Sequence, residues 1–269
     1  MDEVTAVLST LRDYRQMSAE AERLIPLTEM LTVDDVPATA DIAAVEQLVP
    51  SYTDYLRQSV LRAARLAQTV AESIERVYSN VDREGFMVFH FGIEAPLALA
   101  RTDLELLGRV GAMLRPADIG VRAKAAAGML HYDLAQLPPE VTRGDNRRAT
   151  LESLVPTLEE MTDAEPNRWQ RWRDRRDNET EERWVISHWN VGASRALNYL
   201  SKPYYDVSPL YQQLSAAVHG GALVENIIFR PNSNGAVFGY VLLRRVCELL
   251  RYELSETNLA LRRSLRPRP

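Results

Sequence analysis

Cysteine is almost absent from this chain, which has a single one, Cys247, among 269 residues. One cysteine excludes an internal disulfide and any metal site built from several thiolates. Its surroundings, LLRRVCELLRYEL, have the spacing of a buried helix face. We therefore expect Cys247 to be a structural thiol.

Long apolar runs are also missing. No stretch reaches the roughly 18 consecutive apolar residues that would span a bilayer. The first residues, MDEVTAVLST, are acidic and lack the basic and apolar regions of a signal peptide. The sequence thus predicts a cytoplasmic protein that has no membrane partner.

Turn-forming residues are few, with 12 Gly and 14 Pro, and no stretch alternates apolar and polar residues as strands do. A net charge of −5 gives no general attraction to nucleic acid. What is present is helical spacing, which predicts an all-α bundle of about seven to nine helices in one domain, 1–269. Its expected parts are outer helices in 1–85, a central helix pair in 86–137, a charged surface excursion or flap in 140–181, and C-terminal helices in 182–265.

The first helix of the central pair, predicted over 86–114, is apolar on most of its circumference. His90, Glu94, Arg101 and Glu105 fall within an arc of about 60° on it. Isolated charges are costly to bury, so these groups must be paired or functional.

Two interpretations of this stripe remain open. Arg101–Glu105 and His90–Glu94 could be structural i, i+4 pairs that fix the helix register. Alternatively, the stripe lines a polar pocket in which a glutamate acts as base and Arg101 holds an anion. Asp103 and Arg109 are expected to face solvent.

A second constellation is YQQLSAAVHGG, where Tyr211, Ser215 and His219 recur at i, i+4 and i+8 on one side of a helix. The helix dipole alone is a sufficient structural reason for a histidine in a last turn. In the functional interpretation, His219 faces Arg101 and the glutamates and shuttles protons, with Asn226 nearby.

Metal and cofactor signatures are lacking. The four histidines are scattered, and there is no HExxH or ExxH pair, no Gly-rich phosphate loop and no dinucleotide fingerprint. The sequence therefore predicts neither a metal nor a cofactor.

Two patterns carry a family resemblance. Arg183-x4-His188, in ERWVISH, matches the R-x(4–6)-H pattern of the all-helical HEPN nucleotide-binding and ribonuclease superfamily. The stretch ALARTDLELLGRVGAMLRPADIGVRAKAAAGMLHYDLAQL, with the later YQQLSAAVHGG, resembles uncharacterised helical proteins of high-GC bacteria that are loosely similar to HEPN-like and abortive-infection proteins. Those families carry Arg-x3-Glu and Ser-x3-His, which match Arg101/Glu105 and Ser215/His219 here.

The resemblance implies a HEPN-like ribonuclease or nucleotide-handling defence protein, with RNA or a nucleotide as partner, His219 or His188 as base, and Arg101 stabilising phosphate charge. The alternatives are a small-molecule enzyme or binding protein with a bundle pocket, and a non-catalytic protein that forms a homodimer through its terminal helix. The predicted catalytic residues are Glu94, Arg101, Glu105, Ser215 and His219, and the predicted substrate-binding residues are His90, His188, Tyr211 and Asn226.

Overall fold

A computed structural model describes residues 3–32, 34–84, 93–161, 181–202, 204–218 and 234–267. Within these ranges the chain forms twelve α-helices and one 3-10 helix and no strand, apart from an isolated bridge between Ala40 and Pro267. The predicted all-α bundle is confirmed. The helices outnumber the predicted seven to nine because the connections themselves contain helices of four to eight residues.

Four of the helices are long: α1, Glu3–Glu29; α3, Tyr52–Glu84; α4, Glu94–Leu114; and α12, Asn234–Ser264. The intermediate ones are α2, Asp41–Leu48; α5, Ile119–Ala135; α9, Glu181–Trp189; and α11, Tyr204–Val218. The short ones are α6, Pro139–Thr142; α7, Arg147–Ser153; α8, Val155–Glu160; and α10, Ala193–Ala196, which runs into the 3-10 helix Leu197–Tyr199.

The four long helices form a ring in which α1 packs against α3 and α12, and α4 packs against the same two helices. Their apolar faces meet inside the ring and exclude water, which is the main driving force for such a bundle. Fully buried side chains there include Met17, Leu24, Leu56, Leu104 and Leu250.

Helix α4 is central in the way the sequence predicts, because α5, α10 and α11 also pack against it. Its described part begins at Glu94, and the predicted start at Phe86 lies outside the described residues. Two glycines let neighbouring backbone come close: a Cβ on Gly108 would lie 2.2 Å from the carbonyl oxygen of Ala196, and one on Gly111 would lie 2.3 Å from that of Tyr199.

The break between α2 and α3 falls at Pro50-Ser51. Ser51 adopts a φ of 70°. The carboxylate of Glu46 accepts hydrogen bonds from the backbone N–H of Ser51, at 2.8 Å, and of Thr53, at 2.6 Å. Glu46 therefore satisfies an amide in the first turn of α3 and the amide just before that helix.

A second layer covers one side of the ring. Helix α5 packs against α4 and α2, and α7, α8 and α9 pack against α5. Leu151, Val155 and Leu158 are buried there. This part of the predicted excursion is thus packed into the core, and residues 162–180 lie outside the described ranges.

None of the helices in the described ranges is long and apolar enough to cross a membrane.

Candidate functional site

The candidate site lies where α11 crosses α4. Tyr211 of α11 donates its phenolic hydrogen bond to a carboxylate oxygen of Glu105, at 2.5 Å. Arg101 lies one turn before Glu105 on α4 and contacts that oxygen through Nε at 3.2 Å. Arg101 also donates to the Tyr211 hydroxyl through Nε and Nη2, both at 3.3 Å. A guanidinium, a carboxylate and a phenol therefore meet at one point.

The three groups are half-buried, with 22% of the Arg101 side chain and 24% of the Glu105 side chain exposed. The Arg101 guanidinium also lies over the Tyr211 ring, 5.4 Å from its centroid, a favourable cation–π distance. Burial and the hydrogen bond to Glu105 raise the pKa of Tyr211 above its usual value. Tyr211 therefore keeps its proton at neutral pH, and a phenol held between a cation and an anion can donate that proton to a bound ligand.

The other predicted residues are more scattered. Ser215 is half-buried one turn beyond Tyr211 on the same helix. Glu94 is exposed in the first turn of α4, two turns before Arg101. His90, His219 and Asn226 lie outside the described residues, so their predicted roles stay predictions.

The R-x4-H pattern does not converge on this crossing. Arg183 donates to Glu152 at 3.1 Å, and Glu152 also contacts the ring of His131 at 2.9 Å. His188 lies on α9, where its backbone carbonyl accepts a hydrogen bond from Arg195. Helix α9 packs against α5, α7 and α8, so the two motif residues belong to the second layer.

The His131–Glu152 contact forms the centre of an ion cluster that joins α5, α7 and α9. Burial lowers the pKa of His131, and its contact with Glu152 offsets only part of that effect. Burial also opposes ionisation of Glu152, but hydrogen bonds from His131 and Arg183 outweigh burial and lower the pKa of Glu152. The sequence does not indicate a role for His131, because its partner comes from another helix.

Asp103 is the largest departure from the sequence analysis. We expected it to face solvent, yet it is 0% exposed, and neither carboxylate oxygen has a hydrogen-bond partner among the described residues. Burial raises the pKa of Asp103 well above its usual range. Its neighbours three and four residues away, Leu99, Ala100, Leu106 and Leu107, are all apolar, and that spacing is the signal that places it on an inward face.

Arg109 also departs from the prediction, but in a different way, because its side chain is 24% exposed and paired. Its guanidinium bonds Asp133 of α5 at 3.0 Å and the hydroxyl of Tyr55 on α3 at 3.1 Å. Tyr55 in turn donates to Asp133 at 2.6 Å. Arg109 faces two partner helices, which the sequence could not place beside it.

A further buried pair was not anticipated. Glu253 of α12 is 0% exposed and contacts Arg115, just after α4, at 2.9 Å. The same carboxylate accepts hydrogen bonds from the backbone N–H of Ser201, at 2.9 Å, and of Lys202, at 3.0 Å. With three hydrogen bonds to its carboxylate, Glu253 fixes the chain between the 3-10 helix and α11.

In the described part of the chain, no group of three or more His, Cys, Asp or Glu side chains could hold a metal ion. Comparison of the chain with protein-family models, with curated proteins and with solved structures gives no match.

Proposed function

We propose that the crossing of α4 and α11 is a site for a phosphate-bearing ligand, RNA or a nucleotide, and that Tyr211 donates a proton to that ligand. The observation that carries this proposal is the phenol of Tyr211 bonded at once to Arg101 and Glu105. Half-buried guanidinium groups are the preferred partners of phosphate oxygens, because their planar N–H groups match two acceptors.

Each member of the site has a distinct role in this proposal. Arg101 balances phosphate charge as it develops, which is the largest single contribution in most phosphate chemistry. As the ribose 2′-hydroxyl of RNA attacks the phosphorus and the P–O5′ bond breaks, Tyr211 gives its phenolic proton to the leaving 5′-oxygen, and Arg101 balances the charge of the resulting phenolate. Before a ligand binds, Glu105 accepts the hydrogen bond from that hydroxyl at 2.5 Å. The base remains the predicted His219, and Ser215 would contact the ligand from the next turn of α11.

The test is cleavage of end-labelled RNA by the wild type and by Tyr211→Phe, which removes only the hydroxyl. Loss of a positioned proton donor lowers the rate by about 100-fold or more. His188→Ala is the comparison that separates this site from the R-x4-H motif, and we expect it to leave cleavage near the wild-type rate.

Two results would contradict the proposal. One is that the wild-type protein does not cleave the RNA. The other is cleavage that survives Tyr211→Phe but disappears in His188→Ala, which would move the site to the second layer.

Two observations favour the alternative, a small-molecule enzyme. Arg183 of the R-x4-H pattern is bonded to Glu152, and the net charge of −5 gives no general attraction to RNA. In that case a proton moves between Tyr211 and an uncharged or singly charged metabolite. A thermal-shift screen of metabolites on the wild type and Tyr211→Phe tests it. A compound that raises the melting temperature of the wild type and not that of the variant supports this alternative.

A further inference from the structure

A groove of about 470 Å³ runs between α11 and α12, and Tyr211 is not among the residues that line it. Its apolar lining comes from Val207 and Leu210 of α11 and from Leu249 of α12. All three are largely buried, with 9% or less of each exposed. The volume falls within the range of small-molecule sites, which often lie between the helices of bundles.

The rim of the groove carries an excess of positive charge. Lys202, Arg245 and Glu248 line it, but the Glu248 carboxylate contacts Arg244, outside the groove, at 2.9 Å. Neither Lys202 nor Arg245 has an ion pair with any residue that the structure describes. The rim therefore has two cations and one carboxylate beside an apolar floor, a net positive charge in a protein whose overall charge is −5.

The backbone of Lys202 is held by the buried carboxylate of Glu253, which accepts a hydrogen bond from the Lys202 N–H at 3.0 Å. The Lys202 ammonium lies 5.0 Å from the centre of the Tyr252 ring. Glu253 is itself held by Arg115 at 2.9 Å. A cation placed in advance spends less entropy when an anion binds, so this arrangement favours a site over an incidental surface groove.

We propose that this groove binds a small organic anion with an apolar body, whose carboxylate or phosphate head lies beside Lys202 and Arg245. The apolar body packs on Val207, Leu210 and Leu249, and burial of each methylene contributes about 0.8 kcal/mol. The proposal does not depend on chemistry at Tyr211, because the Tyr211 side chain does not line the groove.

Titration calorimetry with four probes tests the proposal: octanoate, octyl phosphate, 1-octanol and inorganic phosphate. We expect both amphipathic anions to bind, and 1-octanol and inorganic phosphate to bind roughly tenfold more weakly or not at all. Tighter binding of octyl phosphate than of octanoate assigns a phosphate head, and the reverse order assigns a carboxylate.

Variants locate the binding. The double variant with Lys202→Ala and Arg245→Ala should bind octyl phosphate roughly tenfold more weakly, or weaker still. Gln213→Trp, which fills the groove without removing a charge, should have a similar effect. Arg76→Ala on α3, an exposed arginine away from the groove, should bind like the wild type.

The proposal is overturned if no amphipathic anion binds, if 1-octanol binds as tightly as octanoate, or if the double variant keeps wild-type affinity. Tyr211→Phe should keep the affinity for octyl phosphate. A failure of RNA cleavage therefore leaves this proposal standing, and a failure of octyl phosphate binding leaves the α4–α11 site standing.

Discussion

Replacing Asp103 by asparagine should stabilise the protein at neutral pH. The Asp103 side chain is 0% exposed, and the described residues offer its carboxylate no hydrogen-bond donor. An unpaired charge in such a place costs far more than a neutral group, so the folded protein keeps Asp103 protonated. Asparagine has the same size and cannot ionise.

The size of the effect follows from proton linkage. In the unfolded chain Asp103 loses its proton near the usual pKa of 3.8, whereas burial raises the pKa in the folded protein. Above pH 4 the folded state therefore binds the extra proton, and the free energy of unfolding falls by about 1.4 kcal/mol for each pH unit until the folded-state pKa is reached. The unsatisfied amide of the variant costs about as much as the unsatisfied neutral carboxyl, so that contribution cancels.

Urea unfolding at pH 5, 6, 7 and 8 measures the difference between Asp103→Asn and the wild type. We expect Asp103→Asn to have the higher free energy of unfolding, and the difference from the wild type to grow by about 1.4 kcal/mol for each pH unit. Glu75→Gln on α3 removes the same charge from an exposed position and should show a margin near zero. A margin that is flat with pH, or a less stable Asp103→Asn, would show that Asp103 is ionised and partnered, and the reasoning would fail.

Two further perturbations test the packing and the second layer. Gly108→Ala places a Cβ 2.2 Å from the carbonyl oxygen of Ala196 and should lower the free energy of unfolding by about 1 to 3 kcal/mol. A Cβ on Gly192 meets nothing within 4 Å, so Gly192→Ala should change that free energy by less than about 0.5 kcal/mol. Equal urea midpoints for the two variants would refute the close approach at Gly108. Burial lowers the pKa of His131, so between the folded-state pKa and 6.5 only the unfolded chain is protonated, and stability falls as the pH drops below 6.5. The loss of stability is at most about 1.4 kcal/mol per pH unit, and His131→Gln should remove most of it when thermal unfolding is compared at pH 7.5 and 5.5. Wild type and variant whose stabilities change equally with pH would contradict this prediction.

The fold was largely predictable because helical spacing is a local property. The apolar positions of α4 recur every three to four residues, and that period alone places Leu97, Leu104 and Leu107 in the interior. The sequence also locates the break near Ser51. It could not assign the cap to Glu46, since both Glu46 and Ser51 have side chains that can accept hydrogen bonds from the first amides of a helix.

The candidate site was predictable only in part, because it depends on which helices meet. The i, i+4 spacing of Arg101 and Glu105 indicates their pairing, and the structure shows that pair at 3.2 Å. Their third partner, Tyr211, comes from α11, about a hundred residues further along the chain. The sequence does not show which residue of α11 meets α4, because that depends on how the two helices cross. The partners of Arg109, Asp133 and Tyr55, depend on such crossings too.

Three arginines in or just after α4 each bind a different neighbour, and the contrast among them bears on function. Arg115 binds the wholly buried Glu253, and Arg109 binds Asp133 of α5, where each pair fixes the position of a neighbouring segment. Arg101 could in the same way do no more than attach α11. Arg109 has the same three-part arrangement, because the Tyr55 hydroxyl accepts from Arg109 and donates to Asp133, whose side chains are 24% and 40% exposed. A phenol between two opposite charges that are 22% and 24% exposed is therefore found at an attachment too, and the effect of removing the Tyr211 hydroxyl decides between the two roles. If Tyr211→Phe lowers the melting temperature and leaves every ligand response unchanged, the contact is an attachment, and if it removes the response at an unchanged melting temperature, the contact is a site.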